Sequence, residues 1–305
     1  MVTQVSIKHI DRQTSQFVFF SIDQSEEFIR VDELNKLTVK MTLKHFLLFL
    51  ICESLLDLMD DGGCSMTFTN ELYAVKKIGS FYKRSPPTEE SENWINRAQE
   101  IGSNGWADFK FLFFGPDGDL YAVRKDGTFW KGSPPKYARE NWSDRAKKIG
   151  NGGWTRFKFL FFGPGSDLYA VRKDGTFWKG SPPKYALDNW SARATKIGNN
   201  GWASFKFLFF GPDCNLYAVQ QKGPCFTTYE PKNRLDPWLG RATKISTGGW
   251  KNLKFLFFGP ERYLYAVSHN GSLRQSSPPT YAKDNWTSRS TKIGAKGWAK
   301  FNFLF

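Results

Sequence analysis

Aromatic and apolar residues occur along this chain in short runs, which are separated by glycine, proline and polar stretches. The most apolar run reads Phe-Lys-Phe-Leu-Phe-Phe at positions 157–162, and Gly163 and Pro164 end it. A run with so few polar positions predicts a strand that is buried on both faces. Shorter runs at 168–171 and 176–179 predict two further strands.

The turns between these runs have their own signature. Asp174-Gly175 separates the second and third predicted strands and suits the positive φ values of a tight hairpin. After the third strand, Ser-Pro-Pro at 181–183 interrupts the sheet, because proline lacks an amide donor. A polar loop then leads to Asn189-Trp190, and an outer strand is predicted at 193–197. The same hairpin device recurs at Asp126-Gly127, Asn270-Gly271 and Lys222-Gly223.

The whole pattern repeats every 48 residues in five copies. Two series of tryptophans carry the period: Trp94, Trp142, Trp190, Trp238 and Trp286, and Trp106, Trp154, Trp202, Trp250 and Trp298. The composition is 17% aromatic with 27 glycines and 15 prolines, which suits short strands joined by tight turns. An all-β fold is therefore predicted.

The phase of the repeats predicts how the copies are arranged. The first copy opens at its second strand, 71–75, and the last copy ends on an inner strand, 301–305. The last strand would thus complete the first unit, as ring closure requires. A solenoid is the competing architecture, but it would need polar capping repeats, and the sequence shows none. We predict a five-bladed β-propeller of four-stranded antiparallel blades over residues 62–305.

Residues 1–61 lie outside the repeat and form a short N-terminal leader. The segment 41–52 resembles the core of a signal peptide, although it starts forty residues into the chain. It is too short to span a bilayer, so no transmembrane segment is expected. A short amphipathic helix or an ill-ordered leader is the alternative. A cytoplasmic location stays open, because the N-terminus shows no clean signal peptide.

The net charge and the cysteines say little about which molecules this protein binds. The formal net charge is +14, and residues 1–60 carry six Lys or Arg against nine Asp or Glu, so the repeats carry +17. The basic residues recur once per repeat instead of gathering in one run, so nucleic acid is not the expected partner. Cys52, Cys64, Cys214 and Cys225 show no metal-ligand spacing, and free thiols are expected at Cys214 and Cys225.

Signatures of catalysis are missing from the sequence. None of the three histidines occupies a shared repeat position, and no zinc-ligand cluster, phosphate-binding glycine loop or dinucleotide fingerprint occurs. Five near-equal copies would also imply five near-equal active sites. The chain is therefore predicted to be a binding protein with no catalytic residues, no metal and no cofactor.

The polar loop of each repeat carries the most site-like residues: an acid, an asparagine and an arginine around the first tryptophan. Carboxylate, amide and guanidinium groups bind sugar hydroxyls and acetamido groups, and an indole ring can cover a C–H face. The alternative reading is structural, with tryptophan wedged between blades and the arginine paired to the acid. The candidates are Glu92, Asn93, Arg97, Glu140, Asn141, Arg145, Asp188, Asn189, Arg193, Asp236, Arg241, Asp284, Asn285 and Arg289.

Seven short motifs recur in the repeat unit: Asp-Asn-Trp, Arg-Ala, Ile-Gly, Gly-Gly-Trp, Phe-Lys-Phe-Leu-Phe-Phe, Leu-Tyr-Ala-Val and Pro-Pro. With them, the unit resembles the repeat of the tachylectin family of propeller lectins. The resemblance covers residues 62–305. It implies a five-bladed propeller with one site per blade, near the junction of neighbouring blades. The implied ligands are glycans bearing N-acetylglucosamine or N-acetylgalactosamine and microbial surface polysaccharide, and the implied location is secreted or granule-stored. The resemblance assigns ligand binding to the acid, asparagine and arginine candidates of the polar loops.

The fourth copy departs from this pattern. Pro237 replaces the asparagine, Ser246 replaces a glycine, and Tyr229-Glu230-Pro231 replaces Ser-Pro-Pro, so its site is expected to be weakened or lost. Two alternatives to a lectin stay open. One is a protein-interaction propeller without sugar binding, and the other is an enzyme in the central tunnel, for which the sequence shows no polar cluster.

Overall fold

The computed structural model describes residues 28–29, 41–42 and 69–305. Within the leader, Phe28–Ile29 pairs antiparallel with Met41–Thr42. Those last two residues open the segment in which the sequence predicts a signal-like core or a helix. The rest of that segment, together with Cys52 and Cys64, lies outside the described residues.

Residues 69–305 form five four-stranded antiparallel sheets, the blades, numbered 1 to 5 in chain order. The inner strands are Phe301–Leu304, Phe109–Phe114, Phe157–Phe162, Phe205–Phe210 and Leu253–Phe258. The second strands are Leu72–Lys76, Leu120–Arg124, Leu168–Arg172, Leu216–Gln220 and Leu264–Ser268. The third strands are Phe81–Arg84, Phe129–Gly132, Phe177–Gly180, Cys225–Thr228 and Leu273–Ser276. The outer strands are Gln99–Gly102, Lys147–Gly150, Thr195–Gly198, Thr243–Ser246 and Thr291–Gly294.

Short helical turns precede the outer and inner strands. The turns before the outer strands are Trp94–Arg97, Trp142–Arg145, Trp190–Arg193, Trp238–Arg241 and Trp286–Arg289. The 3-10 turns before inner strands are Trp106–Asp108, Trp154–Arg156, Trp202–Ser204 and Trp298–Lys300. Two more 3-10 turns, Pro164–Ser166 and Pro260–Arg262, follow inner strands. Nine of the ten tryptophans of the two 48-residue series therefore open a helical turn just before a strand, and Trp250 precedes Leu253–Phe258 without such a turn.

The ring closes as predicted. The last strand of the chain, Phe301–Leu304, pairs antiparallel with Leu72–Lys76 and so provides the inner strand of blade 1. Backbone hydrogen bonds between Tyr73 and Phe305 extend this pairing at 2.8 and 3.0 Å. The predicted five-bladed propeller is confirmed, and its first blade is built from both ends of the described repeat region.

The core lies between blades, in five clusters that each span one junction. In the second strand of blade 2, Leu120 and Ala122 pack towards blade 1, whereas Tyr121 and Val123 pack towards blade 3. This second strand is the one buried on both faces. The prediction that the Phe-rich strand is buried on both faces was wrong, because half or more of its residues are only half-buried. The inner strand does reach both junctions, with Leu112 in the cluster towards blade 1 and Phe111 packed against the cluster towards blade 3, but it is the edge strand of its sheet, so no further strand covers its side chains.

The hairpins follow the predicted chemistry with one difference. In blade 3 the amide of Arg172 donates to the Thr176 carbonyl, and the amide of Gly175 donates to the Arg172 carbonyl, both at 2.9 Å. Gly175 has a φ of +88°, while Asp174 stays outside the positive-φ region. The Asp174 carboxylate instead accepts from the Thr176 amide at 2.9 Å. The turn is thus a glycine-bulge hairpin capped by its aspartate.

Lysines on the inner strands of blades 2 to 5 each link their blade to the next one. Lys158 of blade 3 donates from Nζ to the backbone carbonyls of Ala203 and Phe205 in blade 4, the latter at 2.8 Å. Burial lowers the pKa of this lysine. Lys110, Lys206 and Lys254 make the equivalent links. The inner strand of blade 1 carries Asn302 at this position.

Candidate functional site at the blade junctions

Two cavities in the described part of the chain occupy the same place in the repeat. The pocket between blades 1 and 2 has a volume of about 770 Å³, and the one between blades 5 and 1 about 730 Å³. Each is lined by three segments: the connection that enters the inner strand, the hairpin after the second strand, and the polar loop before the outer strand. We call this cavity the junction pocket.

The polar loop is tied to the neighbouring blade. The amide of Ser103, which leaves blade 1, donates to the Ala138 carbonyl in the polar loop of blade 2 at 2.9 Å. The amides of Asn151, Thr247 and Ala295 make the equivalent bond at three other junctions. The segments that line the pocket are therefore held at a defined separation by the backbone.

Two tryptophans lie at the base of each junction pocket. Trp106 and Trp142 line the first pocket, with ring centroids 5.6 Å apart, and both are almost fully buried. The indole of Trp142 donates to the Ser133 carbonyl at 2.9 Å. The other four junctions hold equivalent pairs at 5.3 to 5.7 Å. The tryptophans thus wedge between blades and leave little ring surface for a ligand.

The acid and the arginine of each polar loop bind one another. In blade 3, Arg193 donates from Nε and Nη2 to the two carboxylate oxygens of Asp188, each at 3.0 Å. The same guanidinium donates to the Pro182 carbonyl, and the amide of Lys184 donates to Asp188. We call this arrangement the loop clasp. It occurs in blades 2 to 5, as Glu140 with Arg145, Asp188 with Arg193, Asp236 with Arg241, and Asp284 with Arg289, whereas in blade 1 Arg97 forms only an ion pair with Glu92 at 3.6 Å.

In three blades the loop clasp favours the ionised form of the carboxylate. Hydrogen bonds from the arginine hold the pKa of Asp188, Asp236 and Asp284 below its ordinary value. The acid side chains are between 5% and 14% exposed, and the arginines are more exposed. Glu92 and Glu140 line the junction pockets, whereas Arg97 and Arg145 do not. The arginine therefore acts on the pocket through the acid and the loop.

The asparagine next to the acid is placed differently. Asn93 and Asn141 line the two pockets and are exposed. Neither side-chain amide is bonded to the adjacent helical turn, which leaves its donors and acceptor facing the pocket. Asn189 is also exposed, and Asn285 accepts one bond from the Ser288 amide at 3.3 Å. Among the candidate residues, the asparagines as a group therefore have the fewest side-chain hydrogen bonds within the described part of the protein.

Blade 4 keeps the clasp but not the asparagine. Arg241 donates to Asp236 at 2.9 Å, although Pro237 stands in the asparagine position. Ser246 fits in place of glycine because its hydroxyl accepts from the Trp250 indole at 2.8 Å. The clasp therefore does not depend on the asparagine beside it.

Glu230, the other departure in blade 4, links blades 3 and 4. Its carboxylate binds the hydroxyl of Tyr169 and the ammonium of Lys179, both at 2.7 Å and both in blade 3. In blade 2 the equivalent tyrosine and lysine bind Asp117 of their own blade, and Gly165 stands at that place in blade 3. The substituted residue thus supplies a carboxylate that blade 3 lacks.

Sequence reasoning missed one set of residues near the pockets. Tyr137, Tyr185 and Tyr281 are 62%, 58% and 61% exposed, and each lies at the start of a polar loop. Exposed aromatic rings can stack on apolar faces of a ligand. Their spacing of 48 and 96 residues places them at one position of the repeat, and this could have identified them from the sequence.

Other kinds of site find no support among the residues that the structure describes. No group of three or more His, Cys, Asp or Glu there is placed to hold a metal ion. No described helix is long and apolar enough to cross a membrane. Cys214 and Cys225 form no disulfide with one another, as predicted, and burial raises the pKa of Cys225 to about 12.

Comparison with known proteins agrees with this architecture. A solved structure, described as a symmetrical protein whose de novo evolutionary emergence is shaped by folding constraints, is 38% identical. The match covers 78% of this chain and 98% of that one, with a TM-score of 0.70. Another, YCF48 bound to a D1 peptide, is 14% identical over 70% of this chain and 63% of its own, with a TM-score of 0.35. The model of the Tachylectin family matches residues 64–148 and 139–305, so it spans the propeller, and the chain belongs to the tachylectin family.

Proposed function

We propose that this protein is a multivalent lectin that binds N-acetylated hexosamines, N-acetylglucosamine or N-acetylgalactosamine, in the junction pockets. Its targets are glycans or microbial surface polysaccharides that present these sugars repeatedly. The protein acts by binding, without catalysis. The recurrence of one pocket at equivalent positions of the repeat is the observation that carries the proposal.

The volume and lining of the pocket suit a small polar ligand. Volumes near 750 Å³ lie within the range of small-molecule sites. The lining of the first pocket combines the Asn141 amide and the Glu140 carboxylate with the edges of two indoles. An acetamido group needs a donor and an acceptor, and its methyl needs an apolar contact.

Within this site we assign different roles to the three candidate residues. The asparagine contacts the sugar directly, since its amide is exposed and uncommitted. The acid offers the lone pairs that the clasp leaves free. The arginine positions the acid and the loop, since it donates to a backbone carbonyl of the loop as well as to the carboxylate.

Multivalency follows from the ring. Four blades carry the asparagine and blade 4 does not, so four working sites per chain are expected. Equivalent sites on a closed ring open on the same face of it. Binding to a repetitive glycan then gains from effective concentration, although each single site is weak.

Retention on N-acetylglucosamine beads tests the proposal. Changing Asn93, Asn141, Asn189 and Asn285 to Ala together is expected to abolish retention, because each site loses its directly contacting amide. Calorimetry with the free sugar should give four sites for the wild-type chain and none for this variant.

Asn96→Ala is the matched control, because Asn96 is exposed beside the pocket but does not line it, and blade 3 carries Ala192 there. It should retain wild-type binding. The Pro237→Asn variant should add a fifth site. If the fourfold variant stays folded and still binds the beads as the wild type does, the asparagine assignment is wrong. If the wild type binds no N-acetylated hexosamine, the lectin proposal fails.

A further inference from the structure

The junction pockets differ in charge. The pocket between blades 1 and 2 is lined by three basic and three acidic residues: Arg124, Lys125, Arg139, Asp108, Asp126 and Glu140. The pocket between blades 5 and 1 is lined by four lysines and two glutamates: Lys76, Lys77, Lys296, Lys300, Glu90 and Glu92. The second pocket therefore carries an excess of positive charge, whereas the first is balanced.

Both glutamates of the cationic pocket already have partners. Glu90 pairs with Lys292 on the outer strand of blade 5 at 2.6 Å. Glu92 pairs with Arg84 at 3.3 Å and with Arg97 at 3.6 Å in its own blade. Because these three cations do not line the pocket, the glutamates are neutralised from outside it. The lysines inside the pocket keep their charge uncompensated, whereas in the first pocket only Glu140 is paired from outside, with Arg145, and Asp108 and Asp126 still offset the basic residues.

Three of the four lysines are available to a ligand. The side chains of Lys77, Lys296 and Lys300 are exposed, and within residues 69–305 they make no hydrogen bond or ion pair. Lys76 donates to the Tyr82 hydroxyl at 3.3 Å. The pKa of Lys254 is lowered by burial and, to a smaller extent, by the charge of Lys77. Lys77 is therefore close enough to the half-buried Lys254 for the two positive charges to interact.

The same pocket is also more apolar than its counterpart. Ile78 and Ile95 stand where the pocket between blades 1 and 2 has Asp126 and Ser143. Ile78 is 79% exposed, so its side chain is free to contact a ligand. Replacing a carboxylate by an isoleucine removes a group that would repel an anion and adds a surface for methyl groups.

We propose that the pocket between blades 5 and 1, which also takes the neutral sugar, binds most tightly an acidic N-acetylhexosamine, one that bears a carboxylate on a short alkyl arm. This inference rests on the proposed sugar binding and assigns a distinct ligand class to one of the sites. The free lysines bind the carboxylate, and the isoleucines contact the alkyl arm. The balanced pocket takes the neutral sugar without this preference for the acid.

Binding of N-acetylmuramic acid, compared with its methyl ester and with N-acetylglucosamine, tests the specificity. The test variant combines Lys77→Gln, Lys296→Asn and Lys300→Ser, which are the residues that the chain itself carries at the equivalent positions 221, 200 and 204. We expect it to lose at least tenfold in affinity for the acid and to keep its binding of N-acetylglucosamine. Acid binding by the wild type should also weaken as salt is raised.

The matched control removes three positive charges elsewhere, with Lys147→Thr, Lys251→Ala and Arg262→Ser, again using residues from equivalent positions. It should bind the acid as the wild type does. Equal loss in the control, unchanged affinity in the test variant, or equal binding of acid and methyl ester would each overturn the inference. Absence of N-acetylglucosamine binding by the wild type rejects the lectin proposal instead, and that result is separate from the acid measurement.

Discussion

At the scale of single residues, the repeated geometry of the blades depends on glycines at positions where a larger side chain would not fit. Gly150, at the end of an outer strand, lies against the indole of Trp154, and an added Cβ would stand 2.2 Å from its Nε1. The same contact recurs at Gly102, Gly198 and Gly294. In blade 4, where the indole instead bonds to Ser246, the hydroxyl replaces the close approach. The glycine therefore serves tryptophan packing and not backbone flexibility.

Gly150→Ala is expected to lower the free energy of unfolding by roughly 1 to 3 kcal/mol, because the new methyl overlaps a buried indole. Gly152→Ala is the control, since nothing lies within 4 Å of its added Cβ and its φ is not positive. Denaturant unfolding of both variants measures the difference. Equal stability of the two would show that Trp154 moves aside without cost.

At the scale of elements, the inner strands contribute more than the face of a sheet. Three of the four lysine links place an ammonium against two carbonyls of the next blade, and Lys206 bonds one, so neighbouring blades are joined by hydrogen bonds as well as by packing. The junction between blades 1 and 2 receives Asn302 instead of lysine. This is the junction that follows the closing strand.

Lys158→Met is expected to lower the free energy of unfolding by about 1 to 3 kcal/mol, because two carbonyl partners lose a charged donor. Asn302→Lys should raise it by up to about 1 kcal/mol by adding the missing link. Thermal and denaturant unfolding give both values. Lys147→Met, on an exposed outer-strand position, is the control and should change little. A gain in stability from Lys158→Met would contradict the role given to these links.

At the scale of the whole propeller, closure depends on one shared blade. The closing strand pairs with Leu72–Lys76 in the same register that Phe109–Phe114 uses with Leu120–Arg124. Phe301 and Leu304 complete the cluster between blades 5 and 1, and Phe303 and Phe305 pack against the cluster between blades 1 and 2. Losing this strand would therefore weaken two junctions at once.

A circular permutant tests the closure directly. The new chain begins at Gly152, joins Phe305 to Thr69 through Phe-Gly-Pro, the residues of positions 114–116, and ends at Asn151. We expect a single cooperative unfolding transition and retained sugar-bead binding, because the closing hairpin becomes like the other four. Deleting residues 301–305 from the native order should instead abolish cooperative unfolding. A permutant that cannot fold, beside a deletion that can, would contradict ring closure.

Much of the fold was predictable because its causes are local and repeated. The hairpin glycines, the Ser-Pro-Pro break and the tryptophan spacing located the strands to within about two residues, and the repeat phase predicted the shared blade. The candidate site was predictable only as a loop. Asp188 and Arg193 are five residues apart in the sequence. That spacing does not show that the two side chains bind one another, or that the arginine is turned away from the pocket.

The sequence by itself therefore determined the number of blades, the strand order and the positions of the polar loops, since each follows from short-range periodicity and turn chemistry. Only the tertiary structure decided which side chains meet across a junction. Three features bring together residues that are about 45 to 220 positions apart in the sequence. They are the contacts of Glu230 with the tyrosine and lysine of blade 3, the lysine links between inner strands, and the unpaired lysines of one pocket. Such contacts depend on how one blade faces the next, which no pattern within a single repeat specifies.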